Sequence, residues 1–150
     1  MLKKALFKWQ TAGFVFTCLL GTLLHFLYDW SKGNVVVAVF STVNESTWEH
    51  MKLLFWPMFI FAIVQSFYVR QQNFWCIKLR GTLLGLSLIP IIFYTYNGVI
   101  GKSPDWINIV IFFVSAALSY FTEYLLMKKD SPPCRFTRTA LMLILLIGVL

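Results

Sequence analysis

Four apolar runs of bilayer length, residues 9–28, 53–69, 81–100 and 107–127, leave this chain few ways to fold. A helix rises about 1.5 Å per residue, so roughly 17 to 21 residues cross a hydrocarbon core of about 30 Å. No water reaches the backbone at that depth, so a spanning segment must satisfy its own amides, and runs this long do so as helices. The predicted architecture is therefore all-α: a single polytopic transmembrane helical bundle covering residues 1–150. A fifth apolar run, residues 139–150, covers only about 18 Å. The expectation is four full spans plus an incomplete fifth, with the chain truncated at its C-terminus.

Composition supports a bilayer over water. The chain is 59% hydrophobic and only 13% charged, against roughly 45 to 50% and 25% in soluble domains. The lipid bilayer is the partner this implies, with a membrane-protein partner or a homo-oligomer as further candidates. The net charge of +7 does not point to nucleic acid, because Lys and Arg fall in short clusters between apolar runs; lipid headgroups are the natural counter-ions. The basic N-terminus leads into an apolar run without a small-residue cleavage site, so it reads as a retained helix. Cys18, Cys76 and Cys134 match neither a Cys-x-x-Cys metal pattern nor a disulfide framework and are read as reduced.

Loop charges choose an orientation. Along the successive segments outside the four runs, Lys and Arg number 3, 2, 3, 1 and 4. That alternation predicts a multi-pass protein of the cell membrane with a cytoplasmic N-terminus. The first connection, residues 29–52, is too polar to lie wholly in the membrane, yet its stretch 35–43 is apolar. A length near ten residues suits a re-entrant or interfacial segment between the first two spans.

That connection ends in Asn44-Glu45-Ser46-Thr47-Trp48-Glu49-His50. Ionisable residues at membrane depth cost about 2.5 to 3.5 kcal/mol on insertion scales, which makes such a cluster a candidate site. Gly21, His25 and Asp29 recur at steps of four and share one face of the first span, which ends at the same side as the motif. The candidate ligand-binding residues are His25, Asp29, Glu45, Glu49 and His50. Glu45, His50 and His25 are the candidate ligands for a divalent metal, since imidazole and carboxylate suit zinc and its neighbours. Ser46-Thr47-Trp48-Glu49 also fits a capping box, which would give Glu49 a structural duty at a helix start. The adjacent Glu49 and His50 do not reproduce His-Glu-x-x-His, in which two imidazoles share a helix face.

Small residues mark the expected packing faces. Gly81 and Gly85 form Gly-x-x-x-Gly, while Ser115 and Ser119 repeat the interval on the fourth span. Glu123 continues that serine face and is expected to pair with Lys128 or to snorkel to the boundary. Gln65 and Asn97 are expected to bond across helices. Gly-rich phosphate loops, Gly-x-Ser-x-Gly and Cys-x-x-Cys are absent from the sequence.

The run from Val43 to Leu53, followed by Phe55-Trp56-Pro57, together with His25-Phe26-Leu27-Tyr28-Asp29-Trp30, resembles a family of small bacterial integral membrane proteins described only as domain of unknown function 6512, DUF6512. The resemblance implies a polytopic bacterial membrane protein and names no activity, catalytic residue or cofactor. Three functions remain open from the sequence: binding of a cation, proton or small polar ligand in a transport, sensing or accessory role; a membrane-embedded metal-dependent hydrolase or transferase; and a structural or partner-binding subunit.

Overall fold

A computed structural model describes residues 2–44, 46–71, 73–101, 104–129, 140 and 142–144. Its long helices are α1, Leu2–Trp30, then α3, Thr47–Tyr68, α4, Phe74–Val99, and α5, Asp105–Lys128, with a four-residue helix α2, Val35–Ala38, between the first two. Each of the four is long and apolar enough to cross a membrane. The all-α bundle predicted from hydropathy is what forms. Of the incomplete fifth span expected over 139–150, only residues 140 and 142–144 are described; they are helical, and Ala140 and Ile144 are buried.

The four long helices close a ring in which α1 and α4 each pack on both α3 and α5. Short connections join α3 to α4 and α4 to α5, so neighbours run antiparallel, as in an up-and-down bundle. Leu54, Met58, Ala116 and Tyr120 lie at the centre of the apolar core. Pro57 and Pro90 lie inside α3 and α4, each of which runs on as one helix past its proline.

The predicted small-residue faces meet each other. A Cβ built on Gly81 would stand 2.5 Å from the Glu123 side chain, and one on Gly85 would overlap the Ser119 hydroxyl. The glycines thus let α5 approach α4 along one antiparallel register, 81 facing 123 and 85 facing 119. Such close approach supplies packing where lipid offers no hydrophobic drive.

The connection after α1 turns through Lys32 and Gly33, at φ 56° and 77°. It then folds back along the helix it has just left. The Ser41 hydroxyl donates to the Leu24 carbonyl and accepts from the Tyr28 amide. Trp56 Nε1 and Lys52 Nζ on α3 donate to the carbonyls of Val39 and Ala38 at 3.1 and 2.9 Å. The segment expected to be re-entrant or interfacial is a short hook. It reaches from Trp30 back to Leu24, about 9 Å along α1, while Val35 and Val36 stay exposed.

Cys18 is a buried free thiol. Cys76 is disulfide-bonded, so the expectation of a reduced thiol fails there. Cys134 lies outside the described residues.

Candidate functional site

At the bundle end opposite the N-terminus, α1, α3 and α5 leave a cavity of about 370 Å³. Its polar lining comes from Thr22 and His25 on α1, His50 on α3 and Asn108 on α5; aromatic and aliphatic side chains, Phe112 and Phe113 among them, make the rest. The two imidazoles face each other across helices, ring centroids 5.7 Å apart and planes inclined by 41°.

Each ring is oriented by the hook or the helix start. His50 Nδ1 stands 2.9 Å from the Ser46 carbonyl. A carbonyl can only accept, so Nδ1 carries the proton and, in the neutral ring, Nε2 is the acceptor. The Thr42 hydroxyl donates to the His25 carbonyl at 3.2 Å and lies 3.3 Å from Nδ1 of the same residue. The same hydroxyl thus touches both the backbone and the ring of His25 and fixes the ring's direction. Asn108 contributes the third polar group, and its Oδ1 is buried without a hydrogen-bond partner among the described residues.

A second polar feature lies nearer the N-terminal end. Lys78 Nζ donates to Glu123 Oε2 at 2.6 Å, with the two side chains 2% and 0% exposed. The ammonium also stands 5.3 Å from the centre of the Tyr120 ring and 5.7 Å from that of Phe74. Tyr120 exchanges a 2.8 Å hydrogen bond with Thr17 on α1. Taking two charges out of water costs several kcal/mol per ion, and only a close, well-bonded pair offsets it.

A family model matches residues 2–150. The chain belongs to DUF6512, a family of unknown function. No curated protein and no solved structure matches it. The resemblance read from the motif is thereby borne out as to family, and the four apolar helices make this DUF6512 member a membrane protein.

The candidate residues of the DUF6512 chain fare differently. His25 and His50, expected to meet from separate segments, do so. Glu45 lies outside the described residues. Glu49 points away from the cavity: its Oε2 accepts from the Val43 amide at 3.0 Å and pairs with Lys52 at 2.7 Å. The capping box forms by halves. Ser46 Oγ accepts from the Glu49 amide at 3.3 Å, but the Ser46 amide turns to Asn44 Oδ1 at 3.0 Å and leaves the Glu49 carboxylate to Val43. Asp29 is exposed one turn beyond His25 and outside the cavity lining. Among the described residues no group of three His, Cys, Asp or Glu side chains could hold a metal.

Two features escaped the sequence reading. Lys78 was placed in a connection and Glu123 was paired with Lys128. In fact α4 begins at Phe74, two turns before the predicted span, which carries Lys78 inside the bundle, while Lys128 is exposed with its ammonium 5.9 Å from the Tyr124 ring centre. Gln65 is buried with neither side-chain atom bonded among the described residues, and Asn97 donates to the Phe93 carbonyl of its own helix at 2.8 Å. Asn108 drew no notice, although it extends the face of Ser115, Ser119 and Glu123 by two turns. That periodicity was the available signal.

Proposed function

We propose that this chain is a multi-pass membrane protein with an inward N-terminus, which binds a small ligand in the cavity at its outer end as a transport, sensing or accessory component. The convergence of His25, His50 and the buried, unbonded Asn108 oxygen on one cavity carries the reading. Largely apolar walls with a few convergent polar groups are the usual make-up of a ligand site, and about 370 Å³ is within the usual size range. Two imidazoles held in place by Thr42 and Ser46, and one amide acceptor, support a site that orients its ligand.

Charge supports an outward placement of the cavity. Lys4, Lys8, Arg70, Lys128 and Lys129 gather at the N-terminal end of the bundle, and an excess of Lys and Arg marks the cytoplasmic side.

The test is mass spectrometry of small molecules released from protein purified in mild detergent. Wild type is expected to retain a compound that falls at least about tenfold in His25→Ala/His50→Ala, the loss of roughly 1.4 kcal/mol that two hydrogen bonds supply, and about fivefold in Asn108→Leu, which removes one. Equal retention in all three proteins, or none in wild type, overturns the reading.

A further inference from the structure

The cavity's polarity is graded along the membrane normal. His25, His50 and Asn108 sit about 5 to 8 Å from the ends of their helices, while Gly21, Leu53 and Phe112 line the same cavity about one turn deeper. Headgroup-level polarity therefore passes into acyl-level apolarity within one enclosure. The cavity also has a flank. Phe26, Ile109 and Phe113 line it and are nonetheless 46%, 58% and 37% exposed. Phe113 lies about 12 Å from the start of α5, within the hydrocarbon region rather than at the water surface. The seam between α1 and α5 is thus an exposed apolar rim on two helices long and apolar enough to cross a membrane.

Its polar end has a defined demand. Asn108 Oδ1 is an acceptor, and a buried acceptor left without a donor costs about 1 to 3 kcal/mol. Among the described residues, no Asp, Glu, Lys or Arg lines the cavity, and the unbonded Asn108 acceptor calls for a hydroxyl donor.

From these observations we infer that the occupant is a neutral membrane amphiphile with a hydroxyl head, a long-chain alcohol or an acylglycerol, which enters sideways from the bilayer between α1 and α5. Its hydroxyl donates to Asn108 Oδ1 beside the two imidazoles, and its chain lies along Phe112 and Phe113. The inference rests on the proposed ligand-binding role and names the ligand class.

Protein reconstituted in phosphatidylcholine vesicles would be irradiated with either of two trace probes, a diazirine-bearing long-chain alcohol or its methyl ether, and the labelled peptides mapped. The alcohol is expected to label residues 21–26 and 108–113 about fivefold more than the ether does, the factor one hydrogen bond makes. Asn108→Leu is expected to bring the alcohol down to the ether's level. Thr22→Trp, at an exposed cavity-lining position, is expected to abolish labelling by both. Equal labelling by the two probes, or labelling spread evenly over all lipid-facing helix surfaces and unchanged in Thr22→Trp, overturns the inference. If a water-soluble compound is retained in the mass-spectrometric test while alcohol and ether label alike, the lateral amphiphile is overturned and the cavity reading stands.

Discussion

A lysine ammonium and a glutamate carboxylate 2.6 Å apart, both sealed from solvent, make Lys78 and Glu123 the most consequential residue pair in the bundle. Neither charge can be left alone. Lys78→Met and Glu123→Leu are each expected to lower stability by about 3 to 5 kcal/mol, because each strands the partner's charge. The double variant is expected to recover most of that loss, which denaturant or steric-trap unfolding in detergent would measure. Gly81 belongs to the same site: an alanine there meets a Glu123 chain already anchored by Lys78. Gly81→Ala is therefore expected to destabilise by roughly 1 to 3 kcal/mol as an overpacked position. Gly98→Ala, with nothing within 4 Å of the new methyl, is the control and is expected to be neutral.

Among the elements, the hook between α1 and α3 sets the geometry of the cavity mouth. Ser41 ties it to Leu24 and Tyr28, Thr42 holds His25, and Ser46 begins the helix that carries His50. Ser41→Ala removes a buried hydroxyl that serves two backbone groups. The expected cost is about 1 to 3 kcal/mol, seen as faster hydrogen exchange at the amides of residues 37–43 with α4 and α5 unaffected. Ser46→Ala is expected to cost about 1 kcal/mol through the lost cap, and to fray the first turn of α3, where His50 is fixed. Glu49 belongs to this scaffold: its carboxylate ties Val43 to Lys52, which is why a residue drawn into the candidate site by its charge does structural work instead.

For the whole molecule, the ring order of the helices follows from connections too short to cross the bundle, and alternation of direction brings the basic clusters to one end. Single cysteines at Asn34 and Ile100, both exposed, are expected to react with an impermeant thiol reagent added outside intact cells. Cysteines at Lys8 and Gln71 are expected to react only after permeabilisation. The reverse pattern would invert the orientation and place the cavity inward. The α4 and α5 register, Gly81 against Glu123 and Gly85 against Ser119, also aligns the serine face with Asn108, so the ion pair and the cavity lie on one stripe of α5 at opposite depths.

Hydropathy alone determined that the chain is an all-α bundle with four helices long and apolar enough to span a membrane, because bilayer thickness and backbone hydrogen bonding favour helices for apolar runs of that length. The Ser46 cap and the small-residue faces were equally legible, since both are set by spacing within one helix. Which residues face each other was not. Lys78 read as a loop charge because its charge and that of Arg80 ended the apolar run, and only the register of α4 on α5 carries it to Glu123 rather than leaving Glu123 to Lys128. His25 and His50 were expected together, but Asn108 joined them only through the packing of α5 on α1. Contacts between helices depend on relative rotation and depth, which the tertiary packing decides and a local period in sequence does not encode.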